Sequence, residues 1–179
     1  MKRNIIILIT LIALTLYVNA TNVSGVIFSN TTWTVANSPY VVTGNILVNT
    51  GVTLTIEAGV TVMFDSLKSV QVDGCLIAQG TGSNNIIFTS NIGNHAGAWG
   101  YLYFSNTSTD ASYENNIFGN YQSGSILEYC IIQYAGGVSV ADNGALRLDA
   151  AYPLINHCII RNNLSVGINA YDYLGNSSG

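Results

Sequence analysis

Short apolar and β-branched runs, separated by Gly, Asn, Asp and Ser, recur along the chain from residue 41 to residue 168. Apolar and polar positions alternate within several of them, as in Thr53-Leu-Thr-Ile56, and a period of two is the signature of a half-buried strand. No stretch beyond residue 20 carries a helical period, so the pattern predicts an all-β fold. The predicted strands are 41–42, 46–48, 53–56, 61–64, 70–72, 76–78, 86–88, 99–104, 126–132, 145–148, 154–160 and 166–168.

Two of these segments repeat each other. Residues 127–134 can be laid on residues 155–162 without a gap, and both read apolar, two polar or aromatic, Cys, Ile, Ile, polar. A fixed repeat indicates a solenoid, in which successive coils stack in parallel about 4.8 Å apart. The predicted inner ladders are Leu127 with Ile155, Cys130 with Cys158 and Ile132 with Ile160, and the predicted outer pairs are Glu128 with Asn156 and Gln133 with Arg161.

A second match sets the length of one coil. Residues 144–148 resemble residues 167–171, which are about 23 residues further on, a length expected of a β-helix coil. The larger offset between the two Cys segments predicts a loop inserted at residues 138–143. Asn163 is expected at a corner, where Asn tolerates left-handed backbone angles and its amide can join neighbouring coils.

At this point the residues resemble a known family. Residues 51–64, 70–80, 86–90 and 153–163 look like the repeats of secreted right-handed parallel β-helix proteins of the pectin-lyase-like superfamily, and the resemblance covers most of residues 25–171. It implies an all-β, right-handed parallel β-helix. It does not fix an activity, because lyases, hydrolases, adhesins and surface proteins share this fold.

The chain begins with a basic and then apolar segment. Lys2 and Arg3 precede an apolar run that ends in Val18-Asn19-Ala20, which predicts a signal peptide at residues 1–20. The alternative, a membrane anchor, needs about 20 apolar residues, and this run is shorter. We expect a secreted or cell-surface protein with no membrane span after cleavage, an N-terminal cap at 21–40, and a β-helix at 41–179 that is cut from a longer chain.

Composition narrows the classes of partner. The chain is 49% hydrophobic and 8% charged, and the part beyond the predicted signal peptide contains three basic and nine acidic residues. Phosphate binding needs clustered Lys and Arg, so nucleic acid is not an expected partner. Three cysteines, Cys75, Cys130 and Cys158, form no CxxC motif and are expected as buried small residues. No metal site and no cofactor is predicted.

The catalytic candidates are Arg147, Asp149 and Arg161. A polysaccharide lyase needs an Arg or Lys that takes a proton beside a uronate carboxylate. Arg147 and Asp149 are two residues apart on one predicted strand and should share a face, with Arg161 about one coil away. The competing interpretation, a surface ion pair of little energetic weight, is favoured.

Carboxylate pairs offer a second kind of catalysis. An inverting glycosidase needs two carboxyl groups about 6.5–9.5 Å apart. Asp142 with Asp149 and Glu114 with Glu128 are the available pairs, and nothing in the sequence selects either.

Tyrosine is abundant, with 11 in the chain. Tyr101 and Tyr103 alternate with Leu102 and Phe104 beside Trp99, so one of the two sets faces outward. Aromatic rings stack on sugars, which makes Trp99, Tyr101 and Tyr103 candidates for a carbohydrate-binding strip. The alternative is that tyrosines cover the coil edges with their hydroxyl groups in water.

Two functions remain open. The first is a non-catalytic extracellular or cell-surface platform that adheres to or binds a polysaccharide or cell-surface glycan. The second is a polysaccharide lyase or glycoside hydrolase whose groove lies partly in coils outside this sequence. The scarcity of Lys and Arg favours the first.

Overall fold

The structure, a computed structural model, describes residues 20–114 and 120–172. Short strands separated by tight corners make up nearly all of its regular structure, and a 3-10 turn spans Val35–Asn37. In successive coils the strands are β1 Thr21–Ile27 and β2 Thr31–Trp33; β3 Tyr40–Val48 and β4 Thr53–Ile56; β5 Thr61–Phe64, β6 Val70–Val72 and β7 Cys75–Gln79; β8 Ile86–Ser90, β9 Leu102–Phe104, β10 Ser112–Tyr113, β11 Tyr121–Ser123 and β12 Ile126–Glu128; β13 Cys130–Gln133, β14 Gly144–Asp149 and β15 Leu154–Asn156; β16 Ile159–Arg161 and β17 Val166–Tyr171.

The strands stack into three columns, and every pairing within a column is parallel. Column A contains the first halves of β1 and β3, then β5, β8, β13 and β16. Column B contains the second halves of β1 and β3, then β6, β9, β14 and β17. Column C contains β2, β4, β7, β12 and β15. This arrangement confirms the predicted parallel β-helix. The antiparallel hairpin β10–β11 is inserted in the fourth coil.

The core is a set of apolar ladders, because inward side chains of successive coils lie directly above one another. In column B one such ladder follows the register Ile46, Val70, Leu102, Leu146 and Ile168. Its first four members are buried, and each side chain of this size contributes about 1.5–3 kcal/mol when fully removed from water. Ile168, in the sixth coil, is 43% exposed.

The structure confirms the register predicted from the two Cys segments. Leu127 pairs with Ile155 and Glu128 with Asn156 in column C, while Ile132 pairs with Ile160 and Gln133 with Arg161 in column A. Asn163 lies at the predicted corner. Its Oδ1 accepts a hydrogen bond from the Ala135 amide at 2.7 Å, so its side chain joins two coils.

The register predicted for residues 144–148 is wrong by one residue. Gly144 pairs with Val166, not Gly167, and Leu146 pairs with Ile168. A shift of one residue moves each side chain to the opposite face. The apolar match of Leu146 with Ile168 sets the register, not the similarity of Gly144 to Gly167.

The inserted loop, in contrast, is confirmed. Residues 134–143 connect β13 to β14, whereas the equivalent connection between β16 and β17 needs only residues 162–165. The extra length accounts for the larger offset between the two Cys segments.

Coil stacking begins earlier than predicted. Residues 21–40, expected to cap the first coil, contribute β1 and β2, which pair in parallel with β3 and β4. Trp33 stacks on Tyr40 with ring centroids 4.9 Å apart, and both are buried. Parallel strand pairing therefore begins at Thr21, within the segment expected as a cap.

Two further predictions concern residues outside the description. The predicted signal peptide lies outside it except for Ala20, and residues 173–179 lie outside it as well. Within residues 20–114 and 120–172, no helix has the length and apolar character needed to cross a membrane.

Candidate functional site

The outer face of column B carries a ladder of polar and aromatic side chains. Leu47, Gln71, Tyr103, Arg147 and Asn169 follow one another in strand register, each one coil above the last. All five are partly exposed, whereas the residues on either side of the first four are buried in the core. The β-helix thus aligns residues from distant parts of the chain on one flat surface.

Arg147 is the centre of this surface. Its guanidinium carbon lies 4.6 Å from the ring centroid of Tyr101, 5.0 Å from that of Tyr103 and 5.8 Å from that of Tyr171. Distances below about 6 Å allow cation–π attraction. Arg147 Nη2 also donates a hydrogen bond to the Tyr171 hydroxyl at 3.0 Å, and Nε donates to the Asp142 carbonyl at 3.0 Å.

Asp149 completes the group through Tyr103. The Tyr103 hydroxyl donates a hydrogen bond to Asp149 Oδ2 at 2.9 Å. Burial raises the pKa of Tyr103, and the accepting carboxylate of Asp149 raises this pKa further. The structure therefore brings together Tyr101 and Tyr103, predicted as carbohydrate-binding residues, and Arg147 and Asp149, predicted as catalytic residues. We call Tyr101, Tyr103, Arg147, Asp149 and Tyr171 the tyrosine–arginine cluster.

Trp99 is not part of this surface, which corrects the prediction of an outward-facing strip that included it. Its side chain is fully buried, stacks on Phe64 with centroids 4.0 Å apart, and donates a hydrogen bond from Nε1 to the Gln133 carbonyl at 2.8 Å. The alternation of Tyr101 and Tyr103 does not extend to Trp99, because β9 begins only at Leu102 and the preceding residues form a corner.

Arg161 is also separate from Arg147. It lies on β16 in column A, above Gln133, and its Nε donates a hydrogen bond to Gln133 Oε1 at 3.1 Å. Arg147 lies on β14 in column B. The predicted trio of Arg147, Asp149 and Arg161 is thus divided between two columns, because Arg161 ends a strand of column A whereas Arg147 and Asp149 lie on a strand of column B.

The two carboxylate pairs occupy different places. Glu128 lies on the outer face of column C, where its carboxylate accepts hydrogen bonds from Gln79 at 3.4 Å and Asn156 at 2.8 Å. Glu114 follows β10 of the inserted hairpin and accepts a hydrogen bond from Asn120 at 3.4 Å. In the other pair, Asp149 accepts the Tyr103 hydrogen bond, and the backbone carbonyl of Asp142 holds Arg147.

A shallow groove continues from the cluster toward the first coil. It encloses about 190 Å³ and is lined by Asn45, Leu47, Ser69, Gln71 and Tyr101, among others. Aromatic side chains with a few Ser, Tyr, Asn or Gln groups are typical of the lining of ligand-binding sites. In the described part of the chain, no group of three or more His, Cys, Asp or Glu side chains is arranged to hold a metal ion.

Comparison with known proteins identifies a family to which the chain is similar. The family described as "Pectate-lyase like beta helix domain" matches residues 25–147, which is 123 of the 179 residues. The chain belongs to this family. No curated protein and no solved structure matches it. Membership in the pectate-lyase-like family indicates a carbohydrate-related role.

The sequence analysis missed Tyr171 as a member of the cluster on this pectate-lyase-like β-helix. Tyr171 pairs with Asp149, and the misplaced register had put it opposite Leu148, an inward position. The signal that would have found it is the match of Leu146 with Ile168, which sets the coil at 22 residues and brings Asp149 to Tyr171.

The contact between Tyr103 and Asp149 gives a test of the cluster's geometry. We expect Asp149→Asn to lower the pKa of Tyr103, because the phenolate no longer forms beside a carboxylate, although burial still raises this pKa. The measurement is an NMR titration of the Tyr103 ring. An unchanged titration curve would contradict the hydrogen bond.

The same pKa predicts an alkaline effect on stability. Because the folded pKa of Tyr103 is raised, its contribution is complete below the unfolded pKa of about 10 and is lost as the pH rises through the folded value. Wild type should therefore lose more stability above about pH 10 than Tyr103→Phe, which has no hydroxyl to ionise.

Proposed function

We propose that this protein is an extracellular or cell-surface module that binds a polysaccharide on the outer face of column B without cleaving it. The observation that carries the proposal is the tyrosine–arginine cluster, in which three tyrosine rings surround one guanidinium beside a polar groove. The strands that carry it are held by the stacked coils, so the surface is rigid before any ligand arrives.

The state of Arg147 favours binding over proton abstraction. A guanidinium is protonated at all ordinary pH values, and a base must first lose that proton. Here the Arg147 guanidinium lies against three tyrosine rings and donates hydrogen bonds to the Asp142 carbonyl and the Tyr171 hydroxyl. These contacts suit a residue that orients rings and attracts an acidic sugar.

The shape of the surface suggests how an extended glycan would lie. The groove and the cluster share Tyr101, and the polar ladder from Gln71 to Asn169 crosses successive coils about 4.8 Å apart. A chain of sugars can follow this ladder across the coils, with rings against the tyrosines and hydroxyl groups toward Gln71 and Asn169.

The test is binding to a panel of neutral and uronate-containing polysaccharides, measured by affinity electrophoresis and calorimetry. An aromatic contact contributes about 0.5–1.5 kcal/mol, so Tyr101→Ala combined with Tyr103→Ala should weaken binding about tenfold. Phe28→Ala is the matched control, because Phe28 is an aromatic residue in the first coil that is 76% exposed and outside the cluster.

Three results decide between the possibilities. Binding that depends on the two tyrosines, with no release of unsaturated or reducing products, supports the proposal. Binding that is unchanged when Tyr101→Ala is combined with Tyr103→Ala would contradict the proposal. Product release that Asp149→Asn abolishes would instead support the lyase or hydrolase, which family membership keeps as the second candidate.

A further inference from the structure

Two cysteines lie one above the other in successive coils. The same offset of 28 residues relates Glu128 to Asn156 on one side of them and Ile131 to Ile159 on the other, so Cys130 falls opposite Cys158. Tyr129 and His157, the residues immediately before them, stack with ring centroids 4.6 Å apart, which fixes the same register at the corner.

The two thiol groups point to the same side of the coil. Cys130 Sγ donates to the carbonyls of Ala78 and Glu128, each at 3.4 Å, and Cys158 Sγ donates to the carbonyl of Leu127 at 3.2 Å. Ala78 and Leu127 are neighbours in column C, so each thiol reaches toward the coil before its own. Both cysteines are free thiols in the structure.

We propose that Cys130 and Cys158 form a thiol pair that reacts with a small-molecule disulfide, such as oxidised glutathione, and closes into a disulfide bond between the fifth and sixth coils. The inference stands on the coil register and is independent of the proposed glycan binding. Strands one coil apart are separated by about 4.7–4.9 Å, within the range of about 4.4–6.8 Å that disulfides span between Cα atoms.

The two thiols differ in the way that such a reaction requires. Cys130 is fully buried, whereas Cys158 is only partly buried. The contact with Cys130 lowers the pKa of Cys158 to about 7, and the same contact together with burial raises the pKa of Cys130. Cys158 is thus the accessible nucleophile and Cys130 the resolving thiol.

The reaction balances in two exchanges. The Cys158 thiolate attacks one sulfur of oxidised glutathione, forms a mixed disulfide and releases the first glutathione as a thiolate that takes a proton from water. Cys130 then loses its proton to water and attacks the Cys158 sulfur, and the second glutathione leaves. Two protein thiols are oxidised, and one glutathione disulfide is reduced to two thiols.

The bond is expected to be reversible. Cβ atoms joined by a disulfide lie about 3.8 Å apart, closer than the spacing of the coils, so closure must draw the sixth coil inward. Strain of this kind makes a disulfide easier to reduce. The pair should therefore open again in excess reduced glutathione.

Cys75 provides a control within the same chain. It is buried in β7 and pairs with Thr53 instead of a second cysteine. Burial raises the pKa of its thiol, while hydrogen bonds with Ser125 and Thr53 partly offset this. Cys75 should stay reduced under conditions that oxidise the pair.

The experiment incubates the full chain, folded and reduced, with oxidised glutathione, then blocks the remaining thiols after denaturation and maps the peptides by mass spectrometry. We expect loss of two hydrogen atoms, a cross-link between the peptides of Cys130 and Cys158, and a free Cys75. The Cys130→Ser variant should accumulate one glutathionyl group on Cys158, and Cys75→Ser should behave like wild type.

Two results would overturn the proposal. One is a wild-type chain that keeps glutathione on Cys158 without forming the cross-link. The other is a wild-type chain in which Cys158 reacts no faster than Cys75. Neither requires a variant, so a substitution that failed to fold would not remove the test. Oxidised wild type should also melt about 5 °C above the reduced chain, because the cross-link restricts the unfolded chain.

Discussion

Replacing Trp99 with alanine is expected to lower the free energy of unfolding by about 3–5 kcal/mol. The Trp99 ring is fully buried, and it stacks on Phe64 of the third coil while donating a hydrogen bond to Gln133 of the fifth. Alanine would leave a cavity between three coils and remove the hydrogen bond to the Gln133 carbonyl. Because domains are stable by only about 5–15 kcal/mol, this is a large share of the total.

Urea unfolding followed by circular dichroism measures the effect, and Trp99→Phe is the matched control. Phenylalanine can keep the stack on Phe64 but loses the hydrogen bond to the Gln133 carbonyl, which is worth about 0.5–1.5 kcal/mol. If Trp99→Ala cost no more than Trp99→Phe, the stack on Phe64 would not be a main contact of the core.

Trp99 also affects the surface indirectly. The corner that contains it leads into β9, which carries Tyr103 next to Arg147. A cavity beneath this corner would loosen Tyr101 and Tyr103 before the whole chain unfolds. A Trp99 variant is therefore not a clean test of the proposed glycan binding, although the Trp99 side chain is buried and outside the tyrosine–arginine cluster.

The fold could be predicted from the sequence because its determinants are local and repeated. Short alternating runs specify strands, and the Cys-Ile-Ile segments repeat with no gap, so their register follows directly from the residues. The pairing of Ile132 with Ile160 in an inner ladder could be predicted without knowing how the corners fold.

The candidate site could be predicted only in pieces. Tyr103 and Arg147 pair one coil apart although they are 44 residues apart in the sequence, because the inserted hairpin and the loop at residues 138–143 both lie between them. Sequence periodicity cannot count coils across insertions of unknown length. The aromatic and the charged candidates therefore remained separate sets until strand pairing joined them.

The conformation of the corners is the other feature that the alternation of apolar and polar residues does not predict. Alternation placed Trp99 with Tyr101 and Tyr103, but alternation holds only while the backbone stays extended. The residues before β9 turn a corner, where direction is set by hydrogen bonds such as that from the Gly100 amide to the Lys68 carbonyl at 2.9 Å. No residue pattern in the sequence predicts that contact.

One corner makes a second large effect predictable. Gly74 joins β6 to β7, and a Cβ atom added to it would overlap the backbone carbonyl oxygens of Asn49 and Val52 in the coil below. The Gly74 amide donates to the Val48 carbonyl at 3.1 Å, and its carbonyl accepts from Thr109 at 2.8 Å. These bonds prevent the corner from moving away, so Gly74→Ala should cost about 3 kcal/mol of unfolding free energy.

Gly82→Ala is the matched control for this prediction, because the nearest atom to its added Cβ is Tyr129 Cε1, at an ordinary contact distance of 3.8 Å. Its expected effect is within about 0.5 kcal/mol. Both variants are measured by urea unfolding with the wild type beside them. Equal stability of the two would mean that the coils can separate at this corner without loss. A displacement of this corner by Gly74→Ala would also affect the inserted hairpin, because the Thr109 amide, in the segment that leads to β10, donates a hydrogen bond to the Gly74 carbonyl.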